Sequence, residues 1–125
     1  MEEIKDKPTK KSNFYLDPIE FRTEIILSKE QDALTNKAVQ MFITMCNEVA
    51  KTRSYKFEQD REDCVAFALE DCVRYWRGYN PEKSEFAFAY FTRLVMNGLA
   101  KGWKKLYNIK SINKISLSHT SLYNI

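Results

Sequence analysis

The amino-acid sequence predicts an all-α fold, a bundle of about four helices with flexible termini, and three observations support it. The chain of 125 residues is 44% hydrophobic and 14% aromatic, which is typical of one globular domain with a substantial core. It contains only three Gly and three Pro, too few turn-forming residues for a fold of many strands. Its apolar residues recur at intervals of three and four, the spacing of helices that bury one face.

Three regions are expected along the chain. Residues 1–14 are charged and lack periodicity, so we expect a disordered arm. Residues 15–107 carry the helical patterns and form the expected helical domain. Residues 108–125 are rich in Asn, Ser and β-branched side chains, and we expect an extended or partly ordered tail there.

The first two helices are predicted over residues 18–29 and 31–52. Asp17 is suited to the N-cap of the first helix and Pro18 to its first position. Helical spacing in the first helix connects Ile19, Arg22, Ile25 and Ile26. In the second helix the core-facing residues are predicted to be Leu34, Ala38, Met41, Phe42, Met45 and Val49.

The third and fourth helices are predicted over residues 59–77 and 85–106. Residues 80–83 (Asn-Pro-Glu-Lys) indicate a turn between them, and Ser84 is suited to cap the fourth helix. The apolar stripe of the third helix is predicted as Val65, Ala68, Leu69, Cys72, Val73 and Trp76, extended by Tyr79. At 100° per residue the core stripe of the fourth helix is Phe88, Phe91, Val95, Leu99 and Leu106.

Charge is distributed unevenly along the sequence. The first 85 residues hold all 17 acidic residues and 14 basic ones, a net charge of −3. The forty residues after Glu85 hold one Arg, five Lys and no Asp or Glu, a net charge of +6. Because solvated surfaces usually mix both signs, this basic stretch indicates a polyanionic partner, most simply nucleic acid.

The side of the fourth helix opposite its core stripe combines three kinds of chemistry. It carries Phe86, Tyr90, Arg93, Asn97, Lys101 and Lys104. Aromatic rings stack on unpaired bases, Arg and Lys neutralise phosphates, and Asn contacts base edges. The alternative is that the two aromatic residues pack under a loop while the lysines increase solubility. Gly98 and Gly102 indicate the close approach of another helix or of a DNA backbone.

The third helix is acidic and has a different outer side. Its acids are Glu58, Asp60, Glu62, Asp63, Glu70 and Asp71. Acids in a first turn stabilise a helix through its dipole, which is one explanation. An exposed Phe67 among Asp63, Glu70, Arg74 and Arg77 indicates instead a protein-binding surface. Glu62 and Asp63 diverge by about 100° on a helix, so they do not converge on one metal ion.

Several functional classes are disfavoured by the composition. No run of 18 apolar residues is present, and the charged N-terminus lacks a secretory apolar region. Cys46, Cys64 and Cys72 are odd in number and form no C-x-x-C pair, which predicts buried free thiols in a reducing cytoplasm. The single His119 leaves no zinc site and no Ser-His or Cys-His arrangement. We therefore expect no enzyme, no cofactor and no membrane partner.

One ordered combination of motifs resembles a known family. A helix with Glu-Asp-Cys-Val at 62–65 and Trp-x-x-Tyr-Asn at 76–80 precedes a helix carrying AYFTRLVMNGLAKGWKK at 89–105. This order resembles region 2 of bacterial sigma factors, in particular the small late-transcription sigma factors of T-even-type phages. The resemblance spans about residues 15–107. It rests most on the residues Ala89, Tyr90, Asn97, Lys104 and Lys105.

The resemblance implies a function and two surfaces. It implies a factor that binds the β′ clamp helices of bacterial core RNA polymerase and directs the enzyme to phage late promoters by recognising and melting a −10-like element. The implied polymerase-binding residues are Asp63, Phe67, Glu70 and Arg74. The implied DNA-binding residues are Phe86, Tyr90, Arg93, Asn97, Lys101, Lys104 and Lys105. Within this set Tyr90 is the expected stacking residue and Asn97 the expected contact to a base edge.

The chain also departs from the family pattern. Primary sigma factors carry a Trp pair shortly after the position of Tyr90, where this chain has Thr92 and Arg93. Because only residues 108–125 follow the helical domain in this sequence, we expect no −35 reader. The phage factors use a hydrophobic and acidic C-terminal peptide that binds the DNA sliding clamp, whereas this tail is hydrophobic without an acid. Its candidate clamp-binding residues are Leu117, Leu122, Tyr123 and Ile125.

Two other functions stay open at this stage. A helical regulator of the coactivator or anti-sigma type would bind polymerase or nucleic acid without recognising a promoter. A small nuclease would require metal-dependent cleavage, which the divergent carboxylates of the third helix disfavour.

Overall fold

The computed structural model describes the backbone of residues 15–123 and the side chains of residues 15–108. Over that part of the chain the fold consists of helices without strands, so the predicted all-α class is confirmed. The elements are α1 (Pro18–Gln31), α2 (Asn36–Ala50), α3 (Glu58–Tyr75), a 3-10 turn (Trp76–Gly78) and α4 (Ala87–Tyr123). The predicted disorder of residues 1–14 lies outside the described residues.

Helix α1 begins where the sequence predicts. The Asp17 carboxylate accepts a hydrogen bond of 3.1 Å from the Ile19 amide, and Pro18 is the first helical residue. The helix ends at Gln31 because Asp32 adopts a left-handed conformation, with φ of 56°, that breaks the helical path. Its buried residues are Phe21, Ile25 and Ser28. Ile19, which shares the predicted spacing, is instead 77% exposed.

Helix α2 begins five residues later than predicted. The Thr35 hydroxyl accepts a hydrogen bond of 3.0 Å from the Ala38 amide, so Thr35 is the N-cap. The Thr35 amide in turn donates to the Ser28 hydroxyl of α1 at 3.1 Å, which fixes the turn between the helices. Leu34 precedes the helix and packs against the core from outside it. The predicted core residues within the helix are confirmed: Ala38, Met41, Phe42, Met45 and Val49.

Helix α3 is rotated relative to the prediction. Ala68, Cys72 and Trp76 are buried as expected, whereas Val73 is 47% exposed. The buried set also contains two carboxylates, and within α3 it consists of Asp60, Cys64, Ala68, Asp71 and Cys72. Small side chains predominate on this face because α4 approaches it closely.

Helices α3 and α4 pack antiparallel, with two glycines at the contact. A Cβ atom on Gly98 would lie 2.9 Å from the Ala68 Cα, and one on Gly102 would lie 3.0 Å from the Phe67 Cβ. Side chains at these positions would push the helices apart. Of the two explanations for Gly98 and Gly102, helix packing is therefore the one that holds.

Helix α4 is longer than predicted. Its backbone stays helical to Tyr123, so the expectation of an extended segment after Tyr107 is wrong for residues 108–123. The physical reason is that the chain has no Gly or Pro after Gly102. Asn, Ser and Ile have modest helix propensity but do not stop a helix that is already formed.

The first half of α4 is held by an aromatic core. The rings of Phe21, Phe42 and Phe91 contact one another with centroids 5.1 to 5.8 Å apart. Val95 and Leu99 continue this buried stripe along α4. The opposite side of α4 is thereby presented on a fixed scaffold. None of the helices in the described part of the chain has the length and apolarity that crossing a membrane requires.

Candidate nucleic-acid interface

Four of the predicted nucleic-acid-binding residues meet at one open groove at the start of α4. The groove has a volume of about 450 Å³. Its lining consists of Ser84, Phe86, Ala89, Tyr90, Arg93, Leu94 and Asn97. Positions three and four apart lie on the same side of a helix, which is why the sequence pattern found this set.

Tyr90 is held in the groove by other aromatic side chains. Its ring centroid lies 5.3 Å from that of Tyr79 and 5.0 Å from that of Phe91. The Tyr79 hydroxyl donates a hydrogen bond of 2.6 Å to the Ser84 carbonyl, so this support is itself fixed. Tyr90 remains 39% exposed. The ring is thus oriented by packing while part of it stays open to a ligand.

Phe86 stands at the mouth of the groove. It is 66% exposed, and its amide donates a hydrogen bond of 3.2 Å to the Ser84 hydroxyl. Ser84 therefore orders the backbone before α4, although the helix begins at Ala87 and not at residue 85. The alternative that Phe86 packs under a loop is excluded by its exposure. Leaving a Phe side chain in water is unfavourable by about 2 kcal/mol relative to burying it.

Arg93 and Asn97 extend the groove along α4. Both side chains are exposed, and Arg93 forms no ion pair with another described residue. They also border a second open hollow of about 480 Å³ on the side of Thr92 and Met96. A guanidinium and an amide thus separate two concave surfaces. Both groups keep hydrogen-bond donors for a ligand.

The three predicted lysines lie elsewhere and are engaged differently. The Lys101 ammonium pairs with the Asp71 carboxylate at 2.8 Å. The Lys105 ammonium lies 5.6 Å from the centroid of the Phe67 ring, a cation–π distance. Lys104 lines a different hollow beside Trp103. The expectation of one continuous face without an acid to pair its cations is therefore wrong at Lys101.

Asp71 was missed as a partner because it is distant in sequence. It lies on α3, is only 4% exposed, and faces α4 at the level of Gly98. The glycine lets the two helices come close enough for Lys101 to reach it. The sequence held one indication of this pairing. Asp71 falls on the buried side of α3 among apolar residues, and buried acids are almost always paired.

The outer side of α3 carries the predicted polymerase-binding charges. Glu70 and Arg74 form an ion pair of 2.8 Å one helical turn apart. The Asp63 carboxylate accepts a hydrogen bond of 2.9 Å from the side-chain Nε2 of Gln59. These side chains are exposed, and their contacts are local to α3. They form a mixed-charge surface rather than a uniformly acidic one.

Phe67 differs from its prediction. It is half-buried, since Gly102 of α4 lies against its Cβ and the Lys105 ammonium lies over its ring. It is therefore a packing residue at the edge of the α3–α4 contact rather than an exposed Phe. The implied polymerase-binding and DNA-binding sets meet along this edge.

The cysteines are buried free thiols, as predicted. Cys46, Cys64 and Cys72 are all fully buried and unbridged. Burial raises the pKa of Cys64, and a hydrogen bond with Cys46 together with burial raises the pKa of Cys72. Within the described residues no group of three His, Cys, Asp or Glu side chains is arranged to hold a metal ion.

The predicted clamp-binding residues fall where side chains are not described. Leu117, Leu122 and Tyr123 lie on the helical backbone of α4 beyond residue 108, and Ile125 lies outside the described residues.

Comparisons of the chain with protein-family models, with curated proteins and with solved structures find no match. The chemistry of the groove and of the α3 surface is accordingly the basis for assigning a function.

Proposed function

We propose that this chain is a nucleic-acid-binding helical module of the sigma-factor type. In this proposal it binds bacterial core RNA polymerase in the bacterial cytoplasm and directs it to phage late promoters through a −10-like element. The observation that carries the proposal is the groove of α4. There two exposed aromatic residues, an Arg without an ion pair to a described residue and an Asn meet in a lining that contains no acid.

Each groove residue has a chemical role in this proposal. A base of the non-template strand leaves the duplex and stacks on Tyr90, while Asn97 contacts a base edge and Arg93 a phosphate. Stacking supplies about 1–3 kcal/mol per base, and flipping a base costs a few kcal/mol. Tyr90 alone therefore does not open the duplex. The phosphate contacts and the polymerase supply the remainder, with Arg93 standing where related primary factors carry a Trp.

The outer side of α3 is the proposed polymerase surface. Asp63, Glu70 and Arg74 present both signs of charge from one rigid helix, which suits a partner helix with complementary charges. Phe67 contributes only the exposed part of its ring. A contact of the C-terminal residues with a DNA sliding clamp, or with a coactivator, remains a separate part of the proposal.

Run-off transcription tests the function as a whole. Adding the chain to bacterial core polymerase on an AT-rich late promoter is expected to produce transcripts from a defined start site. Polymerase binding without a promoter-dependent start would favour the coactivator or anti-sigma type of regulator. Absence of both binding and stimulation would defeat the proposal.

Two variants separate the surfaces. Asp63→Lys combined with Glu70→Lys is expected to abolish capture by core polymerase. Glu30→Lys combined with Glu82→Lys reverses two exposed acids elsewhere and should leave capture unchanged.

Tyr90→Ala is expected to reduce promoter opening, measured by permanganate reactivity of unpaired thymines, more than it reduces capture. Phe57→Ala, at an aromatic residue that is 55% exposed and belongs to neither surface, is the control. Equal reactivity in the Tyr90 and Phe57 variants would remove Tyr90 from the proposed role.

A further inference from the structure

A hollow of about 460 Å³ lies where α4 passes the loop that follows α2. Trp103 forms one wall; it is 45% exposed, and its ring centroid lies 4.4 Å from that of Tyr107. The complete lining is Thr52, Arg53, Ser54, Tyr55, Leu99, Ala100, Trp103 and Lys104. A supported aromatic surface is thus placed near two cations.

The hollow is suited to an anion that also carries a flat ring. Arg53 and Lys104 are exposed and form no ion pair with another described residue, and no acid is in the lining. The acidic side chains at the ends of α2 and α3 nearest the loop are already paired, Glu48 with Lys51 and Glu58 with Arg61. A nucleotide combines the required ring and charge.

An exposed strip connects this hollow with the groove. It follows α4 at intervals of three and four residues through Arg93, Met96, Asn97, Ala100, Trp103 and Lys104. The centres of the groove and of the hollow are separated by about ten residues, or about 15 Å along the helix. At the roughly 3.4 Å per nucleotide of a stacked strand in a duplex this corresponds to at most four or five nucleotides, and to fewer for an unstacked strand.

We propose that the Trp103 hollow is a second nucleobase-binding site, reached by a single strand of nucleic acid that leaves the groove and follows this strip. A base stacks on Trp103, and the adjoining phosphates contact Arg53 and Lys104. The identity of the strand as promoter DNA rests on the proposed function. Binding of a base beside Trp103 does not require polymerase and is measured without it.

Fluorescence reports on this site directly, because the chain has two Trp residues and Trp76 is buried at 2% exposure. In the Trp76→Phe variant Trp103 is the only Trp emitter, and octathymidylate is expected to quench its emission. Arg53→Gln combined with Lys104→Gln should weaken this binding about tenfold. Trp103→Ala should also weaken it about tenfold, as measured by the anisotropy of labelled octathymidylate. Trp103→Phe keeps an aromatic surface and should restore most of the affinity. Lys37→Gln, on α2, is the charge control.

The outcomes separate this proposal from the function of the groove. Quenching of Trp103 that persists in Tyr90→Ala at saturating octathymidylate supports the second site even if transcription is not stimulated. If anisotropy shows saturation while Trp103 emission is unchanged, the second site is overturned. The same holds if the double substitution of Arg53 and Lys104 leaves the quenching unchanged. If Trp76→Phe is unstable, loss of the quench between the unmodified chain and Trp103→Phe gives the same information.

Discussion

The two halves of the described part of α4 both combine aromatic and basic side chains without an acid, but they lie in different environments. From Phe86 to Asn97 the outward side chains line an open groove, and Arg93 is free of ion pairs with described residues. From residue 98 onward α4 lies close against α3, where Lys101 reaches Asp71 and Lys105 lies over Phe67. An acid-free sequence is therefore not the same as an acid-free surface.

The difference arises from helix packing. Two glycines on one side of α4 bring α3 within reach, so part of the basic charge is used inside the fold. The first half of α4 is instead held by aromatic packing around Phe91, which leaves its polar side open. Within the described part of α4, Arg93 in the groove and Lys104 at the Trp103 hollow keep their charges for an external anion.

The largest expected effect comes from breaking the close contact. Gly98→Val should lower the free energy of unfolding by about 3 kcal/mol, since its Cβ would meet the Ala68 backbone at less than contact distance. Urea unfolding measures this loss. Ala100→Val adds the same two methyl groups, without a new Cβ, at an exposed position two residues later and should cost under about 1 kcal/mol. Equal losses in both variants would contradict the close approach at Gly98.

The next effect concerns nucleic-acid binding by the two halves. Arg93→Gln should weaken single-stranded oligonucleotide binding several-fold and reduce the slope of log affinity against log salt by about 0.7. Lys101→Gln removes the same charge but should change the slope less, because this ammonium is already paired with Asp71. Titrations at several salt concentrations decide between them. Identical slopes for the two variants would mean that the ion pair opens on binding.

A smaller effect concerns the stability of that ion pair. Lys101→Met leaves the buried Asp71 without its cation and should cost about 1 kcal/mol, a modest value because Lys101 is itself more than half exposed. Adding Asp71→Asn should recover part of the loss. If the loss of stability in the double variant equals or exceeds the sum of the two single losses, Asp71 is stabilised mainly by groups other than Lys101.

The sequence predicted those features that depend on neighbours within one helix. The Asp17 cap, the α2 core residues and the convergence of Phe86, Tyr90 and Arg93 all follow from spacings of one to four residues. Features that depend on how helices meet were missed. Phe67 was expected to be exposed because nothing in its own helix shows that Gly102 lies against it.

Helix boundaries were predicted wrongly for a related reason. The left-handed Asp32 ends α1 and the Thr35 cap starts α2. Helix propensity alone does not show whether the chain breaks here or continues as one helix. The continuation of α4 beyond Tyr107 shows the reverse case. A segment of weak helix formers follows a long helix without interruption, since extending a helix is far less costly than starting one.

The smallest expected effect distinguishes two kinds of acid on α3. Asp71 faces α4, whereas Glu58 lies in the exposed first turn, where its carboxylate accepts a hydrogen bond of 3.0 Å from the Arg61 Nε. This hydrogen bond lowers the pKa of Glu58 in the folded chain. Its contribution to stability is therefore present above the pKa of the unfolded state and is lost as pH falls through the lower pKa of the folded state.

Glu58→Gln should lower the unfolding midpoint slightly at pH 7, and the difference from the unmodified chain should vanish as pH falls from about 5 to 3. Glu62→Gln, at an exposed acid of the same helix, is the control and should change the midpoint less at pH 7. A difference for Glu58→Gln that stays constant down to pH 3 would show that side-chain packing or helix propensity, rather than charge, accounts for it.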